Sequence, residues 1–308
     1  MNIVVVGSSN TDMILKVPRI PKPGETILGG RFTTAAGGKG ANQAVAAARA
    51  GGKITFIARI GDDIFGQQAR RGFESDNINV EFLKIDNKEP SGVALIYVDE
   101  KGENSIGVAS GANAALSTND VEEAEEKIKS ADILLMQLET PLETVNRAAD
   151  IAKQAGVKVI LNPAPACQLD DSLLSTLSVI TPNESEAGLL TGIIVDDISG
   201  AEHAASRLLE KDLDTVIITL GSKGAYFKTR DHSELVPGFN VDAVDATGAG
   251  DVFNGALAVA MAENKPIGDA VLFANAAAAL SVTKLGAQPS APLKKDIDKL
   301  LINETTNN

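Results

Sequence analysis

The feature that most restricts this chain is an alternation. Short, continuously apolar runs rich in Val and Ile take turns with longer stretches whose apolar residues recur every three or four positions. The runs are 3–6, 54–58, 133–136, 157–161, 179–181 and 216–219. Residues apolar at consecutive positions suit strands covered on both faces, and each run has the length of a strand. The intervening patterns at 41–50, 120–129, 142–154, 198–209 and 250–263 have the period of amphipathic helices. Strands and helices in regular exchange build βαβ units, so the expected fold is α/β, a three-layer α/β/α sandwich around a mainly parallel central sheet. Thr118-Asn119-Asp120 is the expected N-cap of the acidic helix, and Gly156 the stop after the next one.

Two segments break the rhythm. Residues 11–36 hold Pro18, Pro21 and Pro23 between strand-like pieces at 13–17 and 26–33, and residues 93–109 alternate about a polar turn at 99–104 as a hairpin does. A lone hairpin is marginal in water, so the two are expected to join in one small antiparallel sheet over an edge of the site. The expected organisation is a single domain over 1–308, with a β lid formed by inserts 11–36 and 90–110. The tail 303–308 reads as frayed.

Charge and composition narrow the chemistry. Lys and Arg total 28 against 41 Asp and Glu, and the net charge of -13 repels phosphate backbones and anionic lipid, so neither nucleic acid nor membrane is an expected partner. No apolar run approaches a membrane span, and Met1-Asn2 leads straight into the first strand without a basic leader, so the expected location is cytoplasmic. One Cys and two His exclude a disulfide framework and a Cys-ligated zinc site. Cys167, His203 and His232 receive no role. The 28 glycines, in a chain without Trp, point instead to backbone that a ligand approaches closely.

Three glycine clusters stand where a strand or loop enters a helix: Gly37-Gly38-Lys39-Gly40-Ala41-Asn42, Thr219-Leu220-Gly221-Ser222-Lys223-Gly224 and Asp245-Ala246-Thr247-Gly248-Ala249-Gly250-Asp251. None is a P-loop or a dinucleotide fingerprint. A glycine turn opening a helix still offers free N–H groups and the positive end of the helix dipole to an anion. In the third cluster a carboxylate follows the turn at once. Phosphoryl transfer to an alcohol needs that pairing of anion-stabilising N–H groups with a proton acceptor, although an Asp in a first helical turn also serves the dipole alone.

These motifs resemble the ribokinase-like family of carbohydrate kinases over essentially the whole chain. Residues 37–43 are similar to the family's N-terminal signature and 245–255 to its C-terminal one. Gly7, Gln137-Leu138-Glu139, Asn162-Pro163-Ala164-Pro165, the run from Thr181 to Glu186, and residues 284–290 extend the likeness. The resemblance implies ATP-dependent phosphorylation of a sugar alcohol, D-ribose at O5, with Asp251 as general base and Gly248, Ala249 and Gly250 as the anion hole. It implies sugar binding by Asn10, Asp12, Gly38, Lys39, Gly40, Ala41, Asn42, Glu139 and Asp251. Lys39 also reads as a phosphate contact and Glu139 as a surface acid. It further implies ATP binding by Asn183, Thr219, Leu220, Gly221, Ser222, Lys223, Gly224, Gly250, Asp251 and Asn275. Mg²⁺ would be held through water by Asn183 and Glu186, which also read as a helix start. A potassium activator would lie at Asp245, Thr247, Ser281, Lys284, Gly286 and Ser290, and a homodimer would form through the lid. The alternatives are a kinase for fructose, deoxyribose or adenosine, and a non-enzymatic sugar sensor on the same fold. A Rossmann dehydrogenase is opposed by Gly7-Ser8-Ser9-Asn10, where its fingerprint should lie.

Overall fold

The structure, a computed structural model, describes residues 1–307, with side chains described for 1–303. In chain order the elements begin with β1 (Asn2–Val6), β2 (Asn10–Lys16), β3 (Arg31–Gly37), α1 (Lys39–Arg49), β4 (Lys53–Gly61), α2 (Ile64–Ser75), β5 (Leu83–Asp86), β6 (Gly92–Val98) and β7 (Asn104–Ala109). There follow α3 (Thr118–Glu123), α4 (Glu125–Lys129), β8 (Ile133–Met136), α5 (Leu142–Gln154), β9 (Lys158–Leu161), α6 (Asp171–Leu174), β10 (Val179–Ile180), α7 (Glu184–Thr191) and α8 (Ile198–Leu209). The last are β11 (Thr215–Thr219), β12 (Gly224–Thr229), β13 (Ser233–Pro237), α9 (Ala249–Ala262), α10 (Ile267–Ser281), α11 (Ala287–Ser290) and α12 (Lys294–Asn307).

The large sheet runs β13-β12-β11-β10-β9-β8-β1-β4-β5, parallel from β11 to β5, with β12 and β13 added antiparallel at one edge. Its core has two halves because successive side chains leave a strand on opposite faces. Ile3 and Val5 enter the layer of α1, α9 and α10, whereas Val4 and Val6 enter the layer of α5 and α8. Each run read as a doubly covered strand is one, and the three-layer sandwich stands as expected.

The small sheet differs from the reading. Its order is β3-β2-β6-β7, and β2 pairs with β6 in parallel, so it is mixed rather than antiparallel. Both strands leave the body in the same direction, and the chain between them passes back through the large sheet. The strand placed at 26–33 lies at Arg31–Gly37, because the partner β2 ends opposite Arg31 and leaves 26–30 unpaired. The row at the base of this sheet joins Gly37, Asn10 and Gly92.

Other boundaries also moved. The cap of α3 is Ser117, not Thr118: the Ser117 side chain accepts from the Asp120 N–H, and the Asp120 carboxylate accepts from the Ser117 N–H. The acidic helix breaks at Ala124 into α3 and α4. The tail is helical through Asn307, and Asn308 lies outside the described residues. No helix among the described residues is long and apolar enough to cross a membrane.

Candidate active site

Every parallel strand from β1 to β11 across the centre of the sheet ends at the same edge, and the chemistry-bearing residues follow those ends. Gly7 to Asn10 follow β1, Gln137 to Glu139 follow β8, Asn162 follows β9, Thr181 to Asn183 follow β10 and Leu220 to Gly224 follow β11. The carboxyl edge of an open α/β sheet is where ligand crevices form. Two helices aim their first turns there, α1 from Gly38 and α9 from Gly248, and both N-caps have the positive φ that suits glycine, 89° and 74°.

Asp251 lies in the first turn of α9 and is 6% exposed. Asn42 Nδ2 donates to its Oδ2 at 2.9 Å and Gln43 Nε2 to its Oδ1 at 3.0 Å. Burial raises its pKa; Lys39, Asn42 and Gln43 oppose that, and Glu139 adds to it. The Ala249 N–H donates to the Ala246 carbonyl at 3.2 Å, while those of Gly250 and Asp251 find no acceptor among the described residues. The Gly248 N–H likewise finds no acceptor among the described residues, so of the three expected donors Gly248 and Gly250 stay open, Ala249 is engaged, and Asp251 adds a further open N–H. A Cβ added at Gly250 would meet nothing, so the space before those amides is clear.

Several of the residues expected to bind the sugar gather around this carboxylate. Glu139 Oε2 accepts from Ser8 Oγ at 2.5 Å and from the Lys39 N–H at 2.9 Å, which ties α1 to the end of β8. Glu139 is thus engaged in the cleft and is no stray surface acid. Asp12, on β2, sits against Gly37, and its carboxyl is pushed up to about 6 by burial, then by Glu139 and Asp251, with Lys39 opposing. Asn10 Oδ1 accepts from Asn113 Nδ2 at 2.7 Å, so the Asn10 amino group remains to donate. Asn42 Oδ1 is buried with no partner among the described residues, as an acceptor awaiting a hydroxyl would be. Gly40 and Ala41 differ: their N–H groups donate to Ser8 Oγ and the Ser8 carbonyl, anchoring α1. A cavity of about 250 Å³ opens beside Asn10 between β2, β3 and α2, but Asp251, Lys39 and Glu139 are not in its walls.

On the other side, Asn183 and Glu186 form a reciprocal capping box at α7: Asn183 Oδ1 accepts from the Glu186 N–H at 2.8 Å and Glu186 Oε2 from the Asn183 N–H at 2.9 Å. The helix-start reading is therefore realised. Glu186 is 8% exposed, and its pKa is raised by burial first, with Lys39 and Asp251 acting on it in opposite directions. Its second carboxylate oxygen so remains beside the same charges. A bridge between Asn183 and Thr219 brings the turn at Gly221–Lys223 next to it. Leu220 is buried, its N–H donating to the Gly224 carbonyl at 2.8 Å. Asn275 Nδ2 donates to the carbonyls of Val236 and Pro237 at 3.0 and 3.2 Å, which braces the strand beside that turn.

Asp245 gathers the cation candidates. Its Oδ1 accepts from the Thr247 N–H and hydroxyl at 2.9 and 2.6 Å, and its Oδ2 from the Gly286 N–H at 2.8 Å. Burial would raise its pKa, but these donors hold it below the usual carboxylate value. Ser290 is buried, its hydroxyl donating to the Ala287 carbonyl at 2.8 Å, and Ser281 donates to the Ala278 carbonyl at 2.7 Å. Lys284 is exposed in the connecting turn. Among the described residues no group of three acidic, His or Cys side chains is placed to hold a metal ion, and Asp245 is the one carboxylate at this turn.

The pfkB family carbohydrate kinase model matches residues 1–294. The chain belongs to that family. It is 49% identical over 294 residues to a ribokinase of Haemophilus influenzae, covering 96% of each protein. It is 41% identical over 306 residues to a deoxyribokinase of Salmonella typhimurium, covering 99% of this chain and 100% of that one. Among solved structures, Arabidopsis thaliana ribokinase complexed with ribose and ATP superposes with a TM-score of 0.90 at 35% identity, covering 97% and 98% of the two chains. As a pfkB carbohydrate kinase, the chain is a phosphotransferase acting on an alcohol.

Within this kinase cleft the sequence reading gave no role to the polar groups behind the carboxylates, although several of them stand in the motifs that carry the family likeness. Ser8, Gln43, Gln137, Asn162, Asn113 and Asn254 are all buried and bonded to site residues or to one another. The signal available was polarity within apolar surroundings: Gln43 interrupts an alanine-rich helix and Gln137 directly follows Ile-Leu-Leu-Met.

Proposed function

We propose that the chain transfers the γ-phosphoryl group of ATP to O5 of D-ribose. The observation that carries the reading is Asp251: a buried carboxylate fixed by Asn42 and Gln43 at the first turn of α9, beside amides of Gly248, Gly250 and Asp251 that have no acceptor among the described residues. In this reading Asp251 accepts the proton of the attacking hydroxyl, and the adjacent N–H groups with the helix dipole stabilise the charge on the transferring group. Asn10, Asp12, Asn42 and Glu139 hold ribose hydroxyls; the unpartnered Asn42 Oδ1 supports this. Lys39 opposes the raised pKa of Asp12, Glu186 and Asp251 and would balance their charge. The relatives named for ribose support the choice of sugar.

Asn183 and Glu186 would hold the Mg²⁺ that accompanies ATP, through water and the free Glu186 oxygen. That ion supplies neutralisation of phosphate charge. Asp245, Thr247, Ser281, Lys284, Gly286 and Ser290 would surround a potassium ion that stiffens the turn beneath Gly248. The turn from Thr219 to Gly224 and Asn275 would flank the nucleotide. We read the whole chain as one cytoplasmic kinase unit, with the small sheet as its lid, excluding water while the phosphoryl group moves. Exposed apolar residues on that sheet, Phe32, Leu95, Ile106 and Val108, support pairing of two lids in a homodimer.

One test addresses base and substrate together. ADP release is measured with ribose, deoxyribose, fructose and adenosine for the native chain and for Asp251→Asn. Ribose is expected to give the highest kcat/KM, and the variant to lose about a hundredfold or more in kcat. Full turnover by Asp251→Asn removes the base. A preference for deoxyribose moves the chain to the second reading, which the deoxyribokinase relative at 41% identity keeps specific. Sugar binding without ADP release would make it a sensor.

A further inference from the structure

Gln43 is fully enclosed in α1, one residue beyond Asn42. The two ends of a glutamine amide are nearly the same shape, so only its partners decide which end faces a carboxylate. Here they are decisive. Gln137 Nε2 donates to Gln43 Oε1 at 2.6 Å, which turns Gln43 Nε2 toward Asp251 Oδ1 at 3.0 Å and Asn162 Oδ1 at 3.1 Å. Asn162 is oriented in turn, its Nδ2 donating to the Thr181 carbonyl at 3.2 Å. The chain of amides is thus anchored on a backbone carbonyl, whose polarity cannot reverse.

We propose that Gln43 is a positioning residue: oriented by Gln137 and Asn162, it fixes the direction of the Asp251 carboxylate while that group accepts the substrate proton. The proposal rests on the reading of Asp251 as the base. The charged groups facing Asp251 are Lys39 from α1, Glu139 after β8, Asp12 from β2 and Glu186 from α7. Burial and the acid neighbours oppose ionisation, so the ionised base relies on Lys39 and on the two amide donors. Removing the Gln43 donor therefore raises the pKa of the base.

Gln43→Met keeps the length and removes the amide. The expected result is a kcat lower by about ten- to a hundredfold, a sugar KM within about threefold, and an acidic limb of the pH–kcat profile moved upward by about half to one unit. Gln137→Met frees the Gln43 amide to turn over and should act in the same direction. Added to Gln43→Met it should cost little more, because it works through that residue. A Gln43→Met enzyme that melts earlier but keeps the native kcat and acidic limb has lost packing alone, and the proposal fails. Fully multiplicative losses in the double variant overturn it as well. Should Gln43→Met not fold, Gln43→Glu preserves the shape and sets a second carboxyl against Asp251; an unmoved acidic limb there is equally fatal. If Asp251→Asn turns over normally, the base reading itself falls, whereas an inactive Asp251→Asn beside a native-like Gln43→Met refutes positioning only.

Discussion

Asp12 shares its surroundings with Glu139 and Asp251, and its carboxyl at about 6 stands well above the 3.8 of an unperturbed side chain. A carboxyl that holds its proton more tightly when folded stabilises the fold fully below its unfolded pKa, and that contribution disappears as pH rises through the folded one. Between pH 3.8 and about 6 the protein therefore loses stability at this residue. Asp12→Asn keeps the shape without the charge. Its melting temperature at pH 8 should exceed that of the native chain by about 2–4 °C, a gain that vanishes at pH 4, with a raised KM for the sugar. Calorimetry at the two pH values checks this; a variant that melts lower at pH 8 contradicts it. Asp251 was legible because it follows a glycine turn at once, whereas Asp12 and Glu139 were reached only through the resemblance of the surrounding sequence to a kinase family. Their supporting contacts were not legible, since Gln43 and Asp251 lie 208 positions apart and no local pattern reveals such a meeting.

The turn from Asp245 to Gly250 is an element with two differently constrained glycines. Gly248 has φ 74°, and a Cβ there would stand 2.6 Å from Ala287 Cβ, on the turn that carries the cation candidates. Gly248→Ala should cost about 1–2 kcal/mol in backbone strain and displace that turn, lowering both kcat and the ratio of rates in potassium to those in a bulky organic cation. Gly250→Ala meets open space within a helical turn and should melt at or slightly above the native temperature, yet lose turnover because the methyl group stands where the phosphoryl group must approach. Normal turnover in Gly250→Ala would remove that glycine from the anion site. Strands were readable where β-branched residues run together, and α5 and α8 where one face alone is apolar. α10 escaped because Phe273, Ala274, Ala276 and Ala277 bury it on most sides and leave no period. α2 escaped for the opposite reason, with only Gly66 and Phe73 buried.

For the whole molecule, the proposed pairing of two lids has a measurable consequence. Each chain carries a net charge of -13, so two chains repel, and an association driven by Phe32, Leu95, Ile106 and Val108 should tighten as salt screens that repulsion. Sedimentation is expected to find a dimer at physiological salt, and Leu95→Glu with Ile106→Glu to give a monomer; a salt-weakened dimer would point to a polar contact elsewhere. Charge on this scale was readable from composition, whereas the mixed pairing of the small sheet was not, because β2 and β6 are brought together by the body between them. That sheet also has mechanical meaning. All four of its strands join the body at one end, along the row of Gly37, Asn10 and Gly92, and the seven residues of β2 reach about 20 Å outward. It has the form of a lever whose fulcrum runs through Asn10, the residue proposed to hold the sugar: a turn of about 10° at the row sweeps the strand tips through about 3–4 Å. On the proposed binding mode, a sugar that shifts Asn10 slightly would be geared up into a stroke that shuts the cleft.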